Sequence, residues 1–225
     1  MTPSNWFVRL ALATCVILAQ PCAVAQAAPW FAGGWNTPNG TGPGARVVGT
    51  EVKIDSDNPS VRDSSSAWNM IQKQGTGTAY MQVGWAKDSP SWSYPRYFTE
   101  VNLYDAPGYH YTIWHGTAGS GSHLYKITDD SIRYYLLIDG VTVRNVQKSD
   151  LAWSPNMVTF MGETHNDYDQ FPGRATAKCR FLDGAYKRPD GTWWKVYYYN
   201  VSDHYGISTA GNSSSSFTVH DGRYW

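Results

Sequence analysis

The sequence predicts an all-β fold, in which two antiparallel sheets pack face to face as a jelly-roll sandwich with one short helix. Short runs rich in β-branched and aromatic residues recur along the chain, each bounded by Gly, Pro, Asn, Asp or Ser. The 11 Trp and 16 Tyr suit the large core of such a sandwich. Between the runs LLI and VTV, the pair Asp139-Gly140 predicts a type I′ hairpin turn.

Eleven segments have this strand pattern. Only Ser64 to Gln74, SSSAWNMIQKQ, resembles a helix, with Ser residues as N-cap candidates and GTG as its end. We expect residues 46–225 to form a single domain of the concanavalin-like jelly-roll type, after an irregular Gly-, Pro- and Asn-rich arm at residues 28–45. The strand segments are RVVGTEVKID, TAYMQVGWA, YPRYFTEVNL, YHYTIWH, SHLYKI, SIRYYLLID, VTVRNV, NMVTFMGE, ATAKCRFLD, WWKVYYYN and SFTVHD.

Residues 1–27 have the organisation of a secretory signal peptide. Arg9 precedes an apolar run from Leu10 to Leu18, and small residues in the pattern A-x-A follow. This run is shorter than the roughly 20 apolar residues of a membrane span. We therefore expect a secreted, extracellular protein with no membrane partner. Cys179 is the one Cys left after processing, so no internal disulfide is expected.

The charge balance bears on the partners of the protein. Removal of the signal peptide takes away only Arg9, which leaves 17 basic and 18 acidic side chains. A nearly neutral chain argues against nucleic acid as a partner, because nucleic-acid binding requires a basic face. No metal or other cofactor is expected, since H-E-x-x-H, Cys-pair and EF-hand patterns are absent. His165 with Asp167 and Asp169 is the alternative metal-ligand set. We expect a monomer.

Alternation along two strands singles out polar residues. In AYMQVGW, Met81 and Trp85 belong to the face that reads as core, whereas Tyr80 and Gln82 point to the opposite face. In NMVTFMGE, Glu163 comes at the strand end, directly after Gly162, and we expect Gly162 and Gly84 to leave room for a substrate backbone. Spacing alone favours an exposed amide at Gln82, and a turn that bonds its own backbone after Glu163.

These two strands resemble a family of peptidases. YMQVGW resembles the I-Q/E-x-G-W strand of neprosin domains and, more loosely, the L-Q-x-G strand of the fungal glutamic peptidases, which are β-sandwiches. WSYPRYF is similar to the P-x-x-Y…R-x-F stretch that follows in neprosin domains, and VTFMGET to their later strand ending in G-G-E. The Q-V-G-W and G-E-x-x-x-x-x-D-Q-x-P-G pair also resembles exported actinobacterial proteins of unassigned function.

The resemblance implies a secreted hydrolase that cleaves peptide bonds with a water activated by a glutamate. It implies Glu163 as general base and Gln82 as its partner, which stabilises the developing oxyanion. The substrate would be a peptide or a polysaccharide. Alternation also predicts that Trp85 lies in the core, and Arg96 on the same strand face makes an ion pair the alternative role of Glu100. The residues expected to bind the substrate are Tyr80, Trp85, Glu100, His165, Asp167 and Gln170.

The alternative function is carbohydrate binding without catalysis, by a module or lectin of the same architecture. Five tryptophans offer stacking platforms for sugar rings. A polysaccharide lyase or glycosidase and a structural protein of the cell envelope are further alternatives. The five tryptophans are Trp85, Trp92, Trp114, Trp193 and Trp194.

The mature chain should begin at Gln26 or Ala28, because both A-x-A sites precede the first aromatic residue of the folded region. Pro29 would obstruct cleavage immediately before it. N-terminal sequencing of the exported protein tests this. Retention of Met1, or a start beyond Trp35, would contradict the signal-peptide prediction.

Overall fold

The computed structural model describes residues 30–38, 46–196, 199–202, 207–213 and 215–223. Its strands form two antiparallel sheets, which confirms the predicted all-β sandwich. In these ranges the one helical element is a 3₁₀ turn at Lys148–Asp150. The strands are β1 Trp30–Asn36, β2 Gly49–Asp55, β3 Ser65–Gln72, β4 Tyr80–Lys87, β5 Arg96–Asn102, β6 His110–Thr117, β7 Ser122–Asp129, β8 Arg133–Ile138, β9 Val141–Gln147, β10 Met157–Thr164, β11 Cys179–Lys187, β12 Trp193–Lys195, β13 Tyr199–Ser202, β14 Ile207–Ser213 and β15 Ser216–Asp221.

The two sheets pack against each other around the main hydrophobic core. The seven-stranded sheet has the order β13-β1-β10-β3-β4-β5-β6, and the second sheet has the order β14-β15-β11-β2-β7-β8-β9, with β12 paired to β11. Ile71, Val83 and Phe160 of the first sheet meet Val52 and Tyr125 of the second, all fully buried. Full burial of a side chain such as Phe160 contributes about 1.5–3 kcal/mol.

The segment predicted as a helix is instead strand β3, at the centre of the seven-stranded sheet. The helix prediction is wrong because both faces of this strand are buried. Ala67 and Ile71 face the main core, whereas Trp68 and Met70 belong to a second apolar cluster on the other face. A strand covered on both sides lacks the apolar–polar alternation that identifies a half-exposed strand.

Two further strands lie where the sequence indicates none. β1 falls within the supposedly irregular arm and pairs with β10 and β13. The strand was missed because of its composition: WFAGGWN contains two glycines, which weaken the strand pattern. A Cβ on Gly33 would lie 2.1 Å from the carbonyl oxygen of Phe160, so close approach of β10 requires glycine there. β14 is the other missed strand.

The predicted hairpin at Asp139-Gly140 is confirmed. Both residues have positive φ, 49° and 83°, as a type I′ turn requires. Ile138 and Val141 pair directly across the turn, so β8 and β9 continue into it without a break. The left-handed conformation of Asp139 is stabilised because its carboxylate accepts a hydrogen bond from the backbone N–H of Leu124 at 2.8 Å.

The loop after β10 is held in place by a buried carboxylate. Asp169 has no exposed surface, and its carboxylate accepts hydrogen bonds from the backbone N–H groups of Arg62 (2.5 Å), Asp63 (3.1 Å) and Ser64 (2.8 Å). These donors immediately precede β3. Asp169 therefore joins the end of β10 to the beginning of its neighbouring strand.

A second buried carboxylate ties the same loop to the C-terminal strand. Asp221 accepts hydrogen bonds from the backbone N–H of Phe171 (3.0 Å) and from Nη2 of Arg223 (2.7 Å). Nη1 of Arg223 in turn donates to the backbone carbonyl of Asp167. The segment between β10 and β11 is thus a structural element of the fold.

Asp169→Ala should lower the free energy of unfolding by about 3 kcal/mol, because three backbone N–H groups lose the charged acceptor that compensates their burial. Urea unfolding at pH 7 measures the loss. Asp167→Ala is the matched control: this exposed side chain is two residues away, and its removal should change stability by less than about 0.5 kcal/mol. Equal losses in both variants would contradict the anchoring role of Asp169.

Candidate active site on the outer face of the seven-stranded sheet

The outer face of the seven-stranded sheet, the one directed away from the main core, carries the candidate polar residues. Strand register puts Gln82 of β4 directly opposite Glu100 of β5, and Glu100 opposite Thr112 of β6. On the other side of β3, Glu163 of β10 is opposite Ser66. Alternation along each strand sends all these side chains to the same face.

The floor of this face is apolar. Trp68 and Met70 of β3 and Phe98 of β5 are buried there, and Phe31 of β1 and Met161 of β10 pack against them. Phe31 meets the Trp68 indole edge to face, with ring centroids 6.4 Å apart. The polar residues therefore stand at the margins of an aromatic surface from which water is partly excluded.

Glu163 is held by two donors. Nε1 of Trp68 donates to Oε2 of Glu163 at 2.8 Å, and Nε2 of His165 lies 3.2 Å from Oε1. Nδ1 of His165 is 3.9 Å from a carboxylate oxygen of Asp63. The Glu163 side chain is 17% exposed, so it remains accessible from the cleft.

Gln82 belongs to a separate network around Glu100. Nε2 of Gln82 lies 3.4 Å from Oε1 of Glu100, and the Tyr80 hydroxyl donates to the same oxygen. The Thr112 hydroxyl donates to Oε2 of Glu100. Among the described residues, the hydrogen-bond partner of the Gln82 amide is therefore Glu100 and not Glu163.

Glu163 and Gln82 nevertheless line one cleft. Gln82 pairs with Met70, and Glu163 pairs with Ser66, so they lie two strands and four residues apart. This corresponds to roughly 10 Å across the sheet and roughly 13 Å along it between their backbones. Such an offset is too wide for a direct hydrogen bond and leaves room for a substrate group between the two side chains.

The cleft has two compartments that share Tyr80, Gln82, Glu100 and Glu163. The apolar compartment has a volume of about 380 Å³, and the acidic compartment about 270 Å³. The additional residues that define the apolar compartment are Phe31, Trp68, Met70 and Met161, and those that define the acidic compartment include Ser64, Ser66, Asp88 and His165.

Electrostatics in the acidic compartment favour a protonated imidazole. The hydrogen bond with Glu163 raises the pKa of His165, and the charges of Glu163, Asp63 and Asp88 act in the same direction against the opposing effect of burial. Burial raises the pKa of Asp88, opposed by a hydrogen bond from Ser64 and by the charge of His165. His165 is thus the cation among several carboxylates.

Tyr80 stays protonated at any working pH. Burial raises its pKa most, and the charge and hydrogen bond of Glu100 add to the effect. The charge of Glu163 also raises the pKa of Tyr80. Tyr80 is therefore a permanent donor to Glu100, and it senses the carboxylates on both sides of the cleft.

Three of the residues predicted to bind substrate lie outside the cleft lining. Trp85 is fully buried in the main core, where its Nε1 donates to the Asp55 carbonyl. Gln170 is 1% exposed, and its Oε1 accepts a hydrogen bond from the Ser60 backbone, so it is a structural residue. Asp167 is exposed beyond the cleft. Tyr80, Glu100 and His165 do line the cleft.

Two local expectations are corrected. Glu100 forms no ion pair with Arg96, whose guanidinium lies 4.3 Å above the Trp92 ring instead. Gly84 and Gly162 do not leave space for a substrate backbone. A Cβ on Gly84 would meet the Trp68 side chain at 2.8 Å, and one on Gly162 would meet the Phe171 ring at 2.7 Å. Both positions require glycine, because Gly84 packs closely against the backbone and Cβ of Trp68 and Gly162 against the Phe171 ring.

The predicted aromatic platforms are divided among distant places. Trp92 meets Trp114 edge to face at 4.9 Å beside the cleft. Trp193 and Trp194 lie on β12 of the second sheet, where Lys126 and Arg188 cover them at 4.4 and 4.1 Å. These tryptophans do not form one continuous row for a sugar chain.

Within the described ranges, the structure offers neither a set of metal ligands nor a membrane-spanning helix. No group of three or more His, Cys, Asp or Glu side chains is arranged to hold a metal ion there. His165, Asp167 and Asp169 accordingly do not converge. No helix in this part of the chain is long and apolar enough to cross a membrane.

Sequence reasoning missed several residues of the cleft. Trp68 was hidden within the supposed helix and Phe31 within the supposed arm. Asp88, Ser66 and Thr112 carry no local signal, because their position depends on which strands become neighbours. One signal was available. If SSAWNMIQ is interpreted as a strand, Ser66, Trp68, Met70 and Gln72 point to the same face.

The stabilising effect of His165 should depend on pH. Its pKa is raised by folding, so its contribution is fully present below the unfolded-state value of about 6.5 and is lost as the pH rises through the higher folded-state value. The difference in Tm between the protein and His165→Gln should therefore be larger at pH 6 than at pH 9.

His115→Gln is the control with opposite sign. Burial lowers the pKa of His115, with a further effect of the Arg144 charge, so acidification disfavours the folded protein at this position. His115→Gln should gain stability relative to the unmodified protein as the pH falls. A His165 effect that is independent of pH would contradict the charged pair with Glu163.

Comparison with known proteins identifies the fold. No protein-family model matches the chain, and no curated protein matches it. Scytalido-glutamic peptidase, solved with a peptide-based transition state analog, superposes with a TM-score of 0.58 at 11% identity, over 85% of this chain and 98% of that chain. SCP-B, a member of the eqolisin family of peptidases solved with the tripeptide Ala-Ile-His, has a TM-score of 0.57 at 10% identity and the same coverage.

A weaker likeness extends to a glycoside hydrolase family 16 endo-glucanase from Bacteroides ovatus, with a TM-score of 0.43 at 13% identity, over 62% of this chain and 68% of that chain. Identities this low speak for the fold alone. The chain therefore has a two-sheet, jelly-roll-like β-sandwich fold similar to that of the glutamic peptidases.

Proposed function

We propose that the protein is a secreted hydrolase that cleaves peptide bonds by a glutamic-peptidase type of mechanism. The observation that carries the proposal is the joint lining of one cleft by Glu163, Gln82 and Glu100, on the outer face of a sheet shared with peptidases of this type. The cleft combines carboxylates, an amide and an apolar floor, which are the groups required to bind and hydrolyse a peptide.

Glu163 is the general base in this proposal. Its carboxylate is held by the indole N–H of Trp68 and by His165, so it is pre-oriented and still accessible from the cleft. It takes a proton from a bound water, whose oxygen attacks the carbonyl carbon of the scissile peptide bond. The same proton then passes to the leaving amine when the C–N bond breaks. Because Glu163 must both accept and return a proton, we expect activity in acid.

Gln82 stabilises the oxyanion on the opposite side of the reacting carbon. The separation between Glu163 and Gln82 fits this division of roles better than a water shared by both side chains. A neutral amide also avoids the repulsion that a second carboxylate would exert on the developing negative charge. A donor of this kind accelerates catalysis about 10²- to 10³-fold.

The substrate proposed is an extended peptide that lies across β3 and β4. The apolar compartment would receive an apolar side chain on the surface formed by Phe31, Trp68 and Met161. Tyr80 and His165 contribute the polar margins. Polysaccharide binding is the second candidate, favoured by Trp114 in the wall of the acidic compartment.

Glu163→Gln should abolish peptide cleavage, with a loss of about 10²-fold or more, because the variant lacks the general base. The measurement is mass spectrometry of a mixed peptide library after incubation with the purified protein at pH 3 and at pH 7. Gln82→Ala should lose about 10²-fold through the missing oxyanion donor.

Glu51→Gln is the matched control, because the Glu51 carboxylate pairs with Lys126 at 2.7 Å on the second sheet, away from the cleft. This variant should cleave like the unmodified protein. If Glu163→Gln cleaves as well as the unmodified protein, the mechanism is wrong. If the unmodified protein cleaves nothing at either pH but binds a polysaccharide, the carbohydrate-binding function replaces the proposal.

A further inference from the structure

Glu100 is a carboxylate whose hydrogen-bond partners are neutral donors, while the charge of Arg144 also acts on it. The hydroxyls of Tyr80 and Thr112 donate to its two oxygens, and Nε2 of Gln82 lies 3.4 Å from Oε1. Arg96, the cation on the same strand, stacks on Trp92 instead.

An ionised carboxylate accepts hydrogen bonds and donates none. The group of Gln82 that faces Glu100 must therefore be the amide nitrogen, since the reverse orientation would bring two acceptors together. We infer that Glu100 is a positioning residue, which fixes the orientation of the Gln82 amide for peptide hydrolysis. This inference rests on the proposed function.

The orientation matters because the two ends of an amide have opposite effects on an oxyanion. With Nε2 turned toward Glu100, one N–H bonds the carboxylate and the second remains available to the substrate. If the amide of Gln82 were inverted, its carbonyl oxygen would occupy the position of the amide nitrogen and repel the negative charge that develops on the oxyanion. The two orientations of the Gln82 amide have nearly the same shape, and the charge of Glu100 makes one of them lower in energy.

The register makes this role specific to Glu100. Gln82 and Glu100 are directly opposite on adjacent strands, a relation that brings side chains within about 5.5 Å at Cβ. Glu163 is two strands away and bonds Trp68, so it cannot orient the amide. The two oxygens of Glu100 already accept hydrogen bonds from the Tyr80 and Thr112 hydroxyls. Its action on the substrate is therefore exerted through Gln82.

Glu100→Gln is the test. The new side chain can donate or accept, so it no longer discriminates between the two orientations of the Gln82 amide. We expect kcat for peptide cleavage to fall about tenfold or more, while KM changes by less than about threefold, because a transition-state contact is impaired. Glu51→Gln is again the control outside the cleft.

A second readout does not depend on activity. In ¹H–¹⁵N spectra of the full chain, the side-chain NH₂ signals of Gln82 are identified by their loss in Gln82→Ala. One of the two protons should be shifted by its bond to Glu100 in the unmodified protein and in Glu51→Gln, and the shift should disappear in Glu100→Gln.

Gln82→Glu supplies a measurement that needs no substitution at Glu100. Two carboxylates would then face each other across the strands, so the Tm of this variant should fall relative to the unmodified protein as the pH rises from 4 to 7.

The outcomes separate the positioning role from the proposed function. Absence of peptide cleavage by the unmodified protein would defeat the hydrolase proposal, while the NH₂ signals and the pH dependence of Gln82→Glu would still decide the positioning role. Unchanged Gln82 signals in Glu100→Gln would overturn that role. An equal rise in KM and fall in kcat would also overturn it, since Glu100 would then bind substrate itself.

Discussion

The buried carboxylate of Asp169 is the constraint on which the candidate site depends. It accepts hydrogen bonds from three successive backbone N–H groups that immediately precede β3, and its own chain segment follows β10. The ends of the two strands that carry Trp68 and Glu163 are therefore held together by charge-assisted hydrogen bonds. Ser64 and His165, which both line the acidic compartment, lie at the strand ends that this anchor joins, and the His165 backbone N–H donates to the Ser64 carbonyl.

Trp68 links the packing of the sheet to its chemistry. Its backbone and Cβ pack against Gly84, its indole meets Phe31, and its Nε1 orients the carboxylate of Glu163. One side chain thus forms the floor of the cleft and supplies a hydrogen bond to the proposed base. A buried Trp normally requires a partner for its N–H, and here that partner is the residue proposed to be catalytic.

The charges in the cleft are arranged as two networks with different properties. Around Glu163 the partners include His165, whose own charge depends on pH, so this network responds to acidity. Around Glu100 the partners are the neutral donors Tyr80, Thr112 and Gln82, whose donor capacity does not change over the working range. The first network suits a group that exchanges protons, and the second suits one that holds a neighbour in place.

The sequence alone was sufficient for the sandwich architecture, the Asp139-Gly140 hairpin and the placement of Glu163 near the end of a strand. These features follow from local properties: alternation, turn composition and strand length. The same local signals failed for β3, which is buried on both faces, and for β1, which contains two glycines, of which Gly33 is required by the approach of β10.

Only the tertiary structure decided which side chains meet. Strand order made Glu100 the neighbour of Gln82 and brought Glu163 together with Trp68, and it removed Trp85 and Gln170 to the interior. Alternation along a strand tells which face a residue occupies but carries no information about the adjacent strand. That information arises when long-range pairing and burial select one sheet order, and the composition of the cleft follows from it.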